Sequence, residues 1–160
     1  MKAEDIKQIL IAGAGTMGQS IGLSCAAHGY AVVLYDVKED MLAKAQESMG
    51  RKIDKMAAAG TITKDAAESM KGRITSTTDL AAAGSNADLV SESIPEDPVL
   101  KGDLFGRLNG VCPERAIFTT NTSSLVPSMF ADKTGRPDRF LALHFHPGFK
   151  LVDVMGHAGT

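Results

Sequence analysis

The sequence has 160 residues, of which 44% are hydrophobic, and its formal net charge is −2. This composition is that of one globular domain with a proper core, and it argues against a disordered chain. Because no long basic or apolar run is present, we expect small-molecule partners and neither nucleic acid nor a membrane. Two widely separated cysteines predict no disulfide framework and no metal site, and the acidic start favours the cytoplasm over secretion.

The chain begins with a predicted strand, helix and strand. Residues 6–12 form a short apolar run that ends in glycine, which is typical of a strand buried in a parallel sheet. Met17, Ile21 and Cys25 recur at four-residue spacing and predict a helix. The apolar run Ala31–Tyr35 predicts the second strand.

The next segment predicts a helical pair. Residues 38–70 are rich in Ala, Lys, Glu and Met, which indicates two helices broken near Gly60, with Thr63 capping the second. This pair is longer than a simple crossover needs. Further predicted strands lie at 73–75, 89–92, 116–120, 140–144 and 151–155, and further predicted helices lie at 78–83, from 97 onward and at 126–130. The alternation predicts a Rossmann-type, doubly wound α/β fold over residues 1–160, with a mostly parallel sheet and the helical pair inserted after the second strand.

One predicted helix has a clear start. Asp97 is a suitable N-cap, and Pro98 is favoured in the first turn. Leu100, Leu104 and Leu108 recur every four residues, so we expect all three to pack on the sheet.

A glycine-rich loop lies between the first strand and the first helix. Residues 13–18 read Gly-Ala-Gly-Thr-Met-Gly and fit the G-x-G-x-x-G pattern of dinucleotide sites. In that pattern Gly13 permits a tight turn, Gly15 lets the backbone approach a pyrophosphate, and Gly18 lets helix and strand pack closely. The helix N-terminus then attracts the phosphates.

An acidic residue completes the predicted cofactor site. Asp36 ends the second strand, where a carboxylate accepts both ribose hydroxyls and repels a 2′-phosphate, so NAD is favoured over NADP. Thr16, Met17 and the neighbouring Val37 belong to the same predicted site. Two alternatives are an ordinary glycine loop in which Asp36 only caps the next helix, and a flavin site, which is less favoured in so short a chain.

Three further segments accompany the loop. Residues 91–97 read Ser-Glu-Ser-Ile-Pro-Glu-Asp, residues 121–124 read Asn-Thr-Ser-Ser, and residues 139–145 read Arg-Phe-Leu-Ala-Leu-His-Phe. In this order and spacing, they resemble the N-terminal NAD-binding domain of the 3-hydroxyacyl-CoA dehydrogenases, and the likeness covers nearly the whole chain. The resemblance implies oxidation of L-3-hydroxyacyl-CoA to 3-ketoacyl-CoA in fatty acid metabolism, with NAD accepting the hydride.

The resemblance also implies roles for single residues. The backbone near Ser93 and the side chains of Glu96 and Lys101 would line the cofactor. Asn121 would lie near the nicotinamide and the substrate, and the Ser123 hydroxyl would bond the substrate's 3-oxygen.

The family's catalytic histidine falls on His144, and an imidazole titrates in the range that a base for the hydroxyl proton needs. The alternative is a histidine that only hydrogen-bonds within the core. In the family a downstream glutamate orients this histidine, and the matching residue here is Asp153, which is shorter and closer in sequence. The family's His-Phe-Phe-Asn-Pro text is also altered over residues 144–147 to His-Phe-His-Pro. Either the loop is shortened around a working pair, or Asp153 is not the partner.

Family members carry a second, mostly helical domain that closes the substrate cleft and supplies a dimer interface. Because this domain is not in the 160 residues, the resemblance implies a homodimeric full-length enzyme and an isolated domain that binds NAD but turns over acyl-CoA poorly. Lys52, with Arg51 and Lys55, is a candidate to contact CoA phosphates, although a solvated helix face is the favoured alternative.

Two other functions remain open from the sequence. One is a β-hydroxyacid dehydrogenase of the 6-phosphogluconate type, which shares the glycine loop but generally uses a catalytic lysine on a later domain. The other is a nucleotide-binding structural or sensor protein that kept the fold without the activity.

Overall fold

The structure is a computed structural model that describes residues 2–146 and, by their backbone, residues 152–156. Within these residues the strands are β1 Gln8–Ala12, β2 Ala31–Tyr35, β3 Ile74–Thr77, β4 Leu89–Glu92, β5 Ile117–Thr120, β6 Phe140–Phe145 and β7 Val152–Gly156. The α-helices are α1 Thr16–Ala27, α2 Glu39–Ala58, α3 Lys64–Gly72, α4 Leu80–Gly84 and α5 Pro98–Asn109. Short 3₁₀ helices lie at Ala3–Asp5, Pro127–Met129, Asp132–Thr134 and Pro137–Arg139.

All seven described strands form one sheet in the order β3-β2-β1-β4-β5-β6-β7. The first six run parallel, and β7 pairs with β6 in the antiparallel direction. The chain moves outward from β1 on one side, then returns and continues from β4 on the other. The predicted doubly wound, mostly parallel fold is therefore confirmed, with its topological switch point between β1 and β4.

The central strand β1 is buried on both faces. Leu10 packs in the cluster that α4 and α5 cover, whereas Ile9 and Ile11 pack in the cluster that α1 and α2 cover. Helices on both sides explain why β1 reads as a continuous apolar run rather than an alternating one. Under α5, Phe105 stacks on Phe118 with ring centroids 5.6 Å apart, which fixes the helix over β5.

The helical pair is confirmed as α2 and α3. Gly60 has a φ of +69°, and the hydroxyl of Thr63 accepts the amide hydrogen bond of Ala66 at 3.1 Å, as an N-cap does. Ile53 of α2 packs with Met70 of α3 in a small cluster of their own. This insertion therefore has its own apolar contacts and rests beside α1 and β3.

Helix α5 begins as predicted, but the face that it packs on the sheet only partly matches the predicted one. Asp97 accepts hydrogen bonds from the first-turn amides, and Pro98 is the first helical residue. Leu104 and Leu108 are buried, but Leu100 is 51% exposed, so its predicted packing on the sheet is wrong. The residues that face the sheet are spaced three and four apart and include a charged one: Lys101, Leu104, Phe105 and Leu108.

Other differences concern element ends. The first predicted strand begins at Gln8 rather than at residue 6, the strand predicted at 73–75 is Ile74–Thr77, and the helix predicted at 126–130 is the 3₁₀ turn Pro127–Met129. The last predicted strand appears as β7, and Leu151, where that prediction began, lies outside the described residues. Among the described residues, no helix combines the length and the apolar character that crossing a bilayer requires.

Candidate active site

The glycine loop makes a tight turn at the end of β1. Gly13 has a φ of +108°, and a Cβ on it would lie 2.6 Å from the carbonyl oxygen of Ser93. A Cβ on Gly18 would lie 1.9 Å from the Gly13 carbonyl oxygen. Side chains at these two positions are thus excluded by backbone atoms, and α1 starts in close contact with β1 and β4.

Gly15 is in a different situation. It is the N-cap of α1, where it supplies no side chain to the first-turn amides, and a Cβ on it would meet no atom within 4 Å. Amide groups at a helix N-terminus attract anions when no side chain occupies them. The space beside Gly15 therefore fits the diphosphate of a dinucleotide.

Asp36 lies where β2 ends, next to this loop. Its Oδ2 accepts the amide hydrogen bond of Ala14 and its Oδ1 that of Lys38, both at 3.0 Å. The carboxylate thus anchors the glycine loop, and it does not cap α2 as the simpler interpretation predicted, because the N-cap is Lys38 and no side chain caps this helix. Each oxygen keeps a lone pair for a sugar hydroxyl. The neighbouring Val37 is 69% exposed on the same rim.

A pocket of about 240 Å³ opens at the carboxyl edge of the sheet. It lies beside the switch point, where open α/β sheets bind ligands. The residues that line it come from the loops and ends of α1, β4, β5 and β6: Met17, Ser93, Ile94, Glu96, Asn121, Thr122, Ser123 and His144. The structure therefore brings together five of the predicted site residues that follow the glycine loop: Ser93, Glu96, Asn121, Ser123 and His144.

Asn121 connects three strand ends in this pocket. Its amide nitrogen donates to the Glu92 carbonyl oxygen at 2.8 Å, and its side-chain Oδ1 accepts the amide hydrogen bond of Phe145 at 3.0 Å. Its Nδ2 lies 3.5 Å from the Ser93 hydroxyl. Asn121 therefore holds the ends of β4, β5 and β6 at fixed distances around the pocket.

Glu96 holds the loop that follows Asn121. Its Oε1 accepts hydrogen bonds from the Thr122 hydroxyl, from the Ser123 amide at 3.2 Å, and from the Ser124 amide and hydroxyl at 3.3 and 3.1 Å. Partial burial raises the pKa of Glu96, but hydrogen bonds from Thr122 and Ser124 and the charge of Lys101 outweigh it and lower the pKa to about 2. Glu96 is therefore an anion at the edge of the pocket.

Beneath Glu96 lies an ion pair that the sequence did not lead us to expect. The Lys101 Nζ is 2.7 Å from Glu92 Oε1, and neither side chain is exposed. Burial raises the pKa of Glu92 above its ordinary value, although the charge and hydrogen bond of Lys101 act in the opposite direction. Lys101 has no accessible surface in this structure, and its predicted contact with the cofactor stays a prediction. The signal for Glu92 was an acid at a strand position that should be apolar, with Lys101 on the packing face of α5.

His144 is half-buried on β6 and lines the pocket. Its ring centroid is 4.5 Å from that of His146. The register pairs His144 with Asp153 of β7, and directly opposed residues of an antiparallel pair lie on the same face of the sheet. Pro147, in the altered segment, lies outside the described residues.

Lys52 does not join these residues. It is exposed on α2, as is Arg51, which forms an ion pair with Glu47 one turn earlier. The described residues that line the pocket do not include it. Its contact with CoA phosphates therefore stays a prediction.

Comparison with known proteins identifies the family. The sequence profile of the family described as 3-hydroxyacyl-CoA dehydrogenase, NAD binding domain, matches residues 8–160. The chain belongs to this family. This membership confirms NAD as the cofactor and decides against the 6-phosphogluconate type of dehydrogenase.

Similar relatives and structures support the same family. The chain is 33% identical to the Escherichia coli 3-hydroxyadipyl-CoA dehydrogenase, over 98% of this chain and 33% of that protein. It is 38% identical to the rat mitochondrial hydroxyacyl-coenzyme A dehydrogenase, over 94% of this chain and 50% of that protein. The solved 3-hydroxybutyryl-CoA dehydrogenase of Escherichia coli superposes with a TM-score of 0.89 at 34% identity, covering 93% of this chain and 32% of that one. The chain thus spans between a third and a half of the length of these relatives.

Proposed function

We propose that this chain is the NAD-binding part of an enzyme that oxidises L-3-hydroxyacyl-CoA thioesters to 3-ketoacyl-CoA. The observation that carries the proposal is the pocket in which Asn121, Ser123 and His144 meet beside the glycine loop. A hydroxyl donor, an amide and an imidazole at one sheet edge supply the groups that alcohol oxidation needs. The relatives named above as 3-hydroxyadipyl-CoA and hydroxyacyl-coenzyme A dehydrogenases support the same substrate class.

His144 acts as the base in this proposal. It takes the proton of the substrate's 3-hydroxyl, while Ser123 donates a hydrogen bond to the same oxygen. Bound NAD supplies the acceptor for the hydride that leaves the same carbon. Imidazole is suited to the proton step because its charge changes near neutral pH.

Asp153 is the proposed partner of His144. The register supports it, since residues directly opposite across antiparallel strands have Cβ atoms about 4.5–5.5 Å apart. In the charged state of His144, a carboxylate at this position stabilises the imidazolium. The altered loop is then a shortened connection around a working pair.

The test uses the enzyme that contains this chain, with acetoacetyl-CoA and NADH, and follows the loss of NADH absorbance. We expect turnover, and we expect His144→Ala to reduce kcat by about 10²- to 10⁴-fold with NAD affinity unchanged, because a general base contributes about this much. Full turnover in the variant overturns His144 as the base. If the protein binds NAD but does not turn over acyl-CoA, the result supports the alternative of a nucleotide-binding structural or sensor protein.

The same proposal includes a second, mostly helical domain and a homodimer. The fraction of the relatives' length that this chain covers supports the second domain. We also retain the cytoplasm as the proposed location, although relatives from rat and human are mitochondrial.

A further inference from the structure

Lys101 carries a charge in a place where no part of its side chain is exposed. Its Nζ lies 2.7 and 2.9 Å from the two carboxylate oxygens of Glu92. A buried ion pair contributes little to stability, because the cost of removing both charges from water offsets their attraction. The pair therefore calls for a role other than stabilising the fold.

Glu92 is fixed independently of Lys101. Its Oε2 accepts a hydrogen bond from the Thr120 hydroxyl at 2.6 Å, and its Oε1 accepts the amide hydrogen bond of Ile94 at 2.7 Å. Glu92 is thus a rigid anchor between β4 and β5 that neutralises the ammonium group. It leaves the other contacts of Lys101 to be explained.

Those other contacts point to the pocket. The Nζ of Lys101 lies 3.4 Å from Glu96 Oε2 and 3.4 Å from the carbonyl oxygen of Asn121. Both of these residues line the pocket. The other oxygen of Glu96 accepts the hydrogen bonds of residues 122–124, including that of the Ser123 amide. A chain of contacts therefore runs from Glu92 through Lys101 and Glu96 to Ser123.

We infer that Lys101 is a positioning residue: anchored by Glu92, it fixes Glu96 and the Asn121 carbonyl, and through them the place of the Ser123 hydroxyl. The inference rests on the proposed function for the role of Ser123 toward substrate. Lys101 has no accessible surface, so the inference gives it no contact with the substrate. It acts on the reaction only through the geometry of the loop.

The test replaces the pair rather than one partner, because a lone buried charge destabilises the fold strongly. In Glu92→Gln/Lys101→Met the amide oxygen still accepts from Ile94 and the amide nitrogen donates to Thr120, while the ammonium group is lost. The first readout is amide hydrogen exchange in the 160-residue chain. We expect the Ser123 and Ser124 amides to exchange at least about tenfold faster, with no change in β1.

The second readout is the kinetics of the enzyme that contains this chain. We expect kcat for acetoacetyl-CoA reduction to fall by about 10- to 100-fold with KM for NADH nearly unchanged, because a small displacement of a reacting group lowers the rate without removing binding contacts. Lys133→Met is the matched control. It removes the exposed ion pair between Lys133 and Asp103, and Asp103 lies on α5, the helix that carries Lys101. We expect it to change neither readout.

Unchanged exchange at Ser123 and Ser124 in the folded double variant overturns the role of Lys101. If the double variant does not fold, Glu96→Gln removes the charge that Lys101 attracts, and unchanged exchange at these amides in that variant overturns the inference equally. A wild-type enzyme without acyl-CoA turnover overturns the proposed function and the substrate role of Ser123. The exchange experiment still decides whether Lys101 holds the loop.

Discussion

Gly15 and Gly18 lie in one loop but have different surroundings. A Cβ on Gly18 would lie 1.9 Å from a backbone oxygen, whereas a Cβ on Gly15 meets nothing within 4 Å. We therefore expect Gly18→Ala to lower the free energy of unfolding by about 1–3 kcal/mol. Gly15→Ala should change it by less than about 0.5 kcal/mol but weaken NAD binding, because the methyl group occupies the approach of the diphosphate. Urea unfolding and calorimetric titration measure the two effects, and equal destabilisation by both variants contradicts the prediction.

Asp88 shows how one carboxylate fixes the opposite edge of the sheet. Its Oδ2 accepts hydrogen bonds from the backbone amides of Lys7 and Gln8 at 2.9 and 3.0 Å. Its Oδ1 accepts a hydrogen bond from the Arg115 Nε at 2.9 Å. Burial raises the pKa of Asp88, but these hydrogen bonds and the charge of Arg115 lower it by more. The pKa therefore lies below its ordinary value of 3.8. A depressed pKa means that the stabilisation is fully present above the ordinary value and is lost as the pH falls through the lower, folded-state value.

We accordingly expect Asp88→Asn to reduce the free energy of unfolding by about 1–3 kcal/mol at neutral pH, because the amides of Lys7 and Gln8 and the Arg115 side chain lose a charged acceptor. The difference from the wild type should narrow in acid, where the wild-type carboxyl is protonated. Urea unfolding across this range of pH checks it. A difference that stays constant into strong acid shows that the charge is not the cause.

At the scale of elements, Arg136 joins the end of α5 to β5. Its guanidinium group donates to Asn109 Oδ1 at 2.8 Å and to the Pro113 carbonyl oxygen at 2.7 Å, and it lies 4.4 Å from the ring centroid of Phe118. Arg136→Met should lower the free energy of unfolding by about 2–3 kcal/mol, because buried carbonyl groups lose their donor. Arg139→Met, at an exposed arginine of the same segment, should change it by less than about 0.5 kcal/mol. Comparable losses in thermal unfolding of both variants would refute this account.

Helix α5 also shows how far periodicity predicts packing. The cap at Asp97 follows from local chemistry and was predicted, as was the burial of Leu104 and Leu108. The same four-residue spacing placed Leu100 inward, but Lys101 occupies that position because Glu92 on β4 compensates its charge. A pattern of apolar residues cannot report an ion pair whose two members come from different elements.

For the whole molecule, the structure predicts that binding and turnover can be separated. The glycine loop, Asp36 and the pocket all lie within this chain, so we expect the 160 residues to bind NAD. A calorimetric titration with NAD should therefore reach saturation. We expect little or no acetoacetyl-CoA reduction, because closing the substrate cleft requires the second domain that we propose. Near-normal turnover by the isolated chain would overturn this expectation, and the same preparation serves for both measurements.

The amino-acid sequence was enough to predict the order of strands and helices, the glycine loop with Asp36, and the residue types that follow each strand. It could do so because these features depend on neighbours along the chain: periodicity, caps and the turn that glycine permits. Three features became visible only in the folded chain: Glu96 binds residues 122–124, Lys101 is buried under the pocket, and Asp153 is in register with His144. These contacts join residues from different elements, so their distances exist only once the strands are side by side.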